Sequence, residues 1–119
     1  MAEINLIGNG FGEVTAVTGD KTLAEGDSGV VQNVTATATI TLPATGANFA
    51  FTVRVGALGL TVTVAPNAAD KIMGNGFTSA DNKALIFTNQ PVGSFVSLIY
   101  GGVDGWVVTE ISGVATRQG

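Results

Sequence analysis

Between Val34 and Leu42 the chain alternates without a break, with Val34, Ala36, Ala38, Ile40 and Leu42 set against Thr35, Thr37, Thr39 and Thr41. Successive side chains of an extended chain point to opposite faces, so the pattern assigns one buried face and one hydroxyl-covered face. A helix would place its apolar residues every third or fourth position, and this segment does not. It reads as a β-strand. Two further segments obey the same rule: Phe49, Phe51, Val53 and Val55 against Ala50, Thr52 and Arg54, then Leu60, Val62 and Val64 against Thr61, Thr63 and Ala65.

The same reading predicts strands at 12–18, 20–23, 28–35, 36–42, 48–56, 59–65, 84–89, 94–100, 105–111 and 114–117. Seventeen glycines punctuate them, in Gly19-Asp20, Thr45-Gly46, Gly74-Asn75-Gly76, Gly101-Gly102 and Asp104-Gly105 among others. Turn signals about every 8 to 12 residues, with no helical period, point to an all-β fold. The expected architecture is a single-domain jelly roll or antiparallel β-sandwich over 12–119, preceded by an extended N-terminal arm at 1–11. Leu42, Phe51, Val53, Val62, Val64 and Val108 are its expected core. Residues 67–81 are the least regular stretch, read as a long connection with a short helical turn near Asp70. Asp-Gly tolerates the positive φ of a tight turn, so the strands on either side of Gly101–Gly105 are expected to pair antiparallel.

A chain of 119 residues supports one core. It has no cysteine and no histidine, which removes disulfides, thiolate nucleophiles, zinc-finger ligand sets and the usual neutral-pH general base. Net charge is −4 and the five cations, Lys21, Arg54, Lys71, Lys83 and Arg117, are scattered, so a phosphate backbone would be repelled. Mean hydropathy is +0.42. No apolar run approaches the roughly 20 residues that cross a bilayer, and Met1–Asn5 shows no signal-peptide pattern. Burial under the N-terminal arm or against another subunit would account for the apolar excess. It is greatest in Ser94–Tyr100 and Trp106–Val108, where both faces carry large apolar groups.

Candidate sites are few. Gly-Asn-Gly-Phe occurs at 8–11 and at 74–77, but neither copy is followed by the helix start and Lys-Ser/Thr that a phosphate loop needs. Asp81-Asn82, and Asp20 with Asp27, lack the closely spaced oxygens of a calcium loop and read as turn formers. Glu13, Glu25 and Glu110 do not form a recognisable acid–base pair in the linear sequence. Trp106 and Tyr100 offer a possible sugar-stacking surface, although a Trp flanked by Val and Gly is more often core. The threonine rows suit an ordered hydroxyl face, but the solvated side of any strand also favours threonine. The sequence implies no catalytic residue, cofactor or metal, no nucleic-acid partner and no membrane.

The succession Leu23–Gly29, Ile40-Thr41-Leu42-Pro43, Phe51-Thr52-Val53, Ala69-Asp70-Lys71-Ile72, Gly93 with Val96-Ser97-Leu98, and Asp104–Val108 resembles the small β-domains of tailed-phage virions. Such domains occur as head decoration, or cement, proteins and as modules of head and tail fibres. A one-domain length without a coiled-coil or collagen-like shaft favours the decoration protein. The resemblance implies a homotrimer on the outer face of the capsid, made in the host cytoplasm and bound to the major capsid protein, which it stabilises. The competing expectation is a receptor- or glycan-binding fibre module. The residues expected to touch the capsid or a neighbouring subunit are Ile4, Leu6, Ile7, Phe11, Phe77, Tyr100 and Trp106.

Overall fold

The computed structural model describes residues 13–44, 49–68, 70–74, 82–101 and 105–118. The strands are β1 (Val14–Val17), β2 (Lys21–Thr22), β3 (Val31–Val34), β4 (Ala38–Thr41), β5 (Ala50–Val55), β6 (Thr61–Ala65), β7 (Lys71–Met73), β8 (Leu85–Thr88), β9 (Phe95–Tyr100), β10 (Gly105–Ser112) and β11 (Thr116–Arg117), with one 3₁₀ turn at Glu25–Asp27. They form two sheets, a six-stranded one in the order β1-β3-β5-β9-β10-β7 and a five-stranded one in the order β11-β8-β6-β4-β2. The chain is an all-β sandwich.

The alternation from Val34 to Leu42 runs across two strands, as the separate expectations at 28–35 and 36–42 divide it, and not along a single one. Val34 ends β3 in the first sheet, the chain turns at 35–37, and β4 begins in the second. Val34, Ala38, Ile40 and Leu42 are nonetheless all buried. A chain that wraps around a shared core keeps the same set of side chains inward as it turns the corner, so the period survives the change of sheet. This winding runs through β1 to β6, each consecutive pair giving one strand to each sheet.

Successive turns of the coil therefore pair parallel: β1 with β3, β3 with β5, β2 with β4 and β4 with β6. Parallel neighbours need a long crossover, and here the strand in the opposite sheet supplies it in place of a helix. The expected antiparallel pairing holds only in the remainder, for β5–β9, β9–β10, β6–β8 and β8–β11. The β9–β10 hairpin is as expected, with a bulge between Val108 and Glu110. Residues 71–73 differ from expectation: they form β7, which pairs parallel with β10. Three residues are too few to display a period. A hydrogen bond from Asp70 N to Asn67 O (2.8 Å) accounts for the local turn before it.

Among the described residues, eighteen buried apolar side chains make one core, including all six that the alternation nominates. Outward positions differ between the sheets. On the second sheet threonines lie side by side, Thr22 beside Thr41, Thr39 beside Thr63 and Thr61 beside Thr88. On the first, Thr52 hydrogen-bonds Ser97 (2.8 Å) and Arg54 Nε donates to Asn33 (2.9 Å). The surplus apolar groups of β9 and β10 also face outward here, where exposed Ile99 is in register with Ala50 and Val107.

Candidate functional site

Strand directions divide the connections between two ends of the sandwich. At one end, here called the base, lie the residue preceding β1, the connection 23–30, the ends of β4, β6 and β9, the starts of β5, β7, β8 and β10, and the exit from β11. At the opposite end, the tip, lie the connections 18–20, 35–37, 56–60, 89–94 and 113–115. Of the contact residues nominated from sequence that the structure describes, Tyr100 ends β9 and Trp106 lies at the start of β10, both at the base.

The base is charged. Glu13, Glu25, Asp27, Asp70, Lys71 and Lys83 all lie in its segments. Its best-defined cluster joins the two sheets at the first turns of the coil. Lys21 Nζ lies 3.1 Å from Asp27 Oδ1 and donates to Gln32 Oε1 at 2.7 Å, and Gln32 Nε2 reaches Asp27 Oδ1 at 3.5 Å. Asp27 Oδ2 also accepts from Ala24 N (2.9 Å), closing the 3₁₀ turn. Gln32 is fully buried. A buried amide is costly unless hydrogen-bonded, and this one shares a charge pair that is itself half-buried. Its position was readable, since Gln32 occupies the same inward parity as Val34; its partners were not, because they lie on other elements.

Beneath the base, Phe49, Phe51 and Trp106 pack with their rings tilted by 58°, at centroid separations of 5.9 and 5.4 Å. Trp106 is wholly buried, which corrects its assignment as a contact residue. Position 106 follows the hairpin turn and faces inward between the sheets, where a large ring fills the space beside Phe51. The Trp106–Tyr100 pair therefore presents no joint stacking surface. Tyr100 is half-buried against the core. Trp106 Nε1 has no hydrogen-bond partner among the described residues. Ile4, Leu6, Ile7, Phe11 and Phe77 lie outside the described residues, as do both copies of Gly-Asn-Gly-Phe apart from Gly74.

Of the carboxylates considered as cation ligands, Asp20 and Asp27 have structural roles and Asp81 lies outside the described residues. Asp20 Oδ1 accepts from Thr39 N at 2.8 Å, and Asp27 is engaged with Lys21 and Ala24. Among the described residues no group of three His, Cys, Asp or Glu side chains converges.

The tip is built differently. Of the five exposed large apolar residues among those described, three sit there: Leu58 (77% exposed), Val92 (56%) and Val114 (64%). Their connections, 56–60, 89–94 and 113–115, contain none of the chain's five basic and nine acidic residues. Hydrogen bonds tie the three together: Asn89 N to Leu60 O (2.9 Å), Gly93 N to Val55 O (2.9 Å), Val55 N to Ser94 O (2.7 Å) and Val114 N to Gln90 Oε1 (2.9 Å). Gly113 has φ +84°, and a Cβ there would meet Ser94 Oγ at 2.5 Å, so this close approach requires glycine. Sequence reasoning passed over these residues because each is a lone aliphatic in a glycine- or proline-containing turn, and only the fold brings them together.

Compared with known proteins, the chain matches no family, no curated protein and no solved structure.

Proposed function

We propose that this chain is a non-enzymatic structural module of a tailed-phage virion, a decoration protein that binds the outer capsid surface as a trimer through its base. The observation that carries the reading is a convergence. Leu23–Gly29, Leu42-Pro43, Asp70-Lys71-Ile72 and Trp106, all parts of the segments that resemble virion β-domains, lie at or next to the base. The first described residue, Glu13, lies there too, immediately before β1.

An apolar segment joined to a rigid sandwich suits attachment by strand addition or pocket filling on a partner. Binding only the expanded shell would stabilise that state by linkage, in proportion to the ratio of free protein to dissociation constant. The glycan-binding alternative loses support from the burial of Trp106.

The test is cosedimentation of the purified chain with expanded and unexpanded capsids of its phage. Selective binding to expanded capsids, with a raised capsid disruption temperature, is expected; binding to neither would overturn the reading. Deleting residues 1–11 is expected to leave the β-sheet circular dichroism intact and to weaken capsid binding.

A further inference from the structure

We infer that β1 is a pairing edge between two copies of this chain, joined antiparallel about a two-fold axis so that the first sheet continues from one copy into the other. The inference goes beyond the proposed function and does not rest on it. Its warrant is the contrast among the four sheet edges.

Among the described strands, β1 and β7 end the first sheet, and β2 and β11 end the second. An open edge is a template for pairing with the chain's own copies, and proteins blunt it with short strands and cations, lysine above all. β2, β7 and β11 are two or three residues long, and each carries a cation: Lys21, Lys71 and Arg117. β1 has neither guard. Val14-Thr15-Ala16-Val17 is the longest of the four, without charge, proline or glycine, and its first three residues are exposed. Glu13 O and Val17 O accept from Val31 N (3.0 Å) and Thr35 N (2.9 Å). Peptide groups alternate in direction along a strand, so the N–H and C=O of Val14 and Ala16 turn away from β3. Extended polypeptide is the partner that matches them.

The guards and the symmetry select a second copy. Edge guards act against the chain's own copies, so the edge left bare is the one at which a copy is accommodated. With the other three edges guarded, that copy offers β1 itself. A two-fold axis through the Thr15 pair sets Val14 of each copy opposite Ala16 of the other, which joins every open N–H and C=O of these residues reciprocally and sets Glu13 opposite Val17 rather than opposite another charge. One bare edge per chain closes the pair; two would propagate a filament.

Thr15→Cys tests the register, because the chain has no cysteine of its own. Opposed residues 15 form a non-hydrogen-bonded pair with Cα atoms about 4.5 Å apart, within disulfide reach. Mild oxidation of this full-length variant at micromolar concentration is expected to give covalent dimer as the main product, and Thr88→Cys, on the second sheet's outer face, to give roughly tenfold less. Val14→Lys/Ala16→Lys installs the guard that the other edges carry and sets like charges opposite each other. By light scattering it is expected to have half the mass of the unmodified chain, with its β-sheet circular dichroism intact. Ala16→Pro deletes an N–H that β3 does not use and is expected to act alike. No more dimer from Thr15→Cys than from Thr88→Cys, or a mass that survives both edge variants, would overturn the inference. An unchanged mass joined to lost capsid cosedimentation would also overturn it, assigning the edge to the capsid protein. A chain that pairs through β1 and ignores capsids keeps the inference and removes the proposed function.

Discussion

At the base of the sandwich, Lys21, Asp27 and buried Gln32 tie the two sheets together among charged connections, and three aromatic rings fill the core beneath them. At the tip, backbone and amide hydrogen bonds hold three uncharged connections that expose Leu58, Val92 and Val114. The same strands run between both ends, so the strands do not set the difference. It lies in the connections, which at the tip span only three to six residues. A rigid two-sheet body thus leaves its ends free to carry unlike surfaces, one lined by charged groups and one by exposed aliphatic residues.

The comparison can be broken most forcefully at the base. Phe51→Ala removes the ring between Phe49 and Trp106 and is expected to cost about 3–5 kcal/mol in denaturant melts. A loss below about 1 kcal/mol would mean that the aromatic cluster does not anchor this end. Gly105→Ala comes next. A Cβ there would collide with the Lys71 backbone, so β7 must move away from β10, and with the backbone strain a loss of about 1–3 kcal/mol is expected. Amide exchange should quicken at 71–73 while the tip connections keep their protection.

Lys21→Ala leaves the buried Gln32 oxygen without its 2.7 Å donor and is expected to cost about 1 kcal/mol. Gln32→Leu placed on that background should recover part of the loss, since the unmatched amide is gone. The smallest effect belongs to the tip. Replacing Leu58, Val92 and Val114 by Asp should change monomer stability by no more than about 0.5 kcal/mol per site, because exposed positions carry little of the fold. A large destabilisation would show that these residues support the sandwich.

Much of the fold was legible. Alternation named Leu42, Phe51, Val53, Val62, Val64 and Val108 as core, and all six are buried. Glycine and proline placed the turns, and Gly101–Gly105 correctly announced the β9–β10 hairpin. Strand neighbours were not legible. Short turns suggested hairpins, yet at 35–37 and 56–60 the chain crosses to the other sheet and later returns parallel to its earlier strand. β7 was hidden by its length, and Ile72 is buried only because β10 lies beside it. Of the nominated contact residues that the structure describes, Tyr100 stays at the surface in part and Trp106 does not.

The sequence by itself determined which side chains face inward, because a period of two is a local property of extended backbone and persists through a corner. It also determined the exclusions that follow from having neither histidine nor cysteine. Only the tertiary structure decided which strands are neighbours, which polar groups meet Gln32, and that Leu58, Val92 and Val114 are exposed on connections at the same end of the sandwich. Those outcomes depend on contacts between residues far apart in the chain. Alternation says which way a side chain points, and only the winding of the coil says what it meets there.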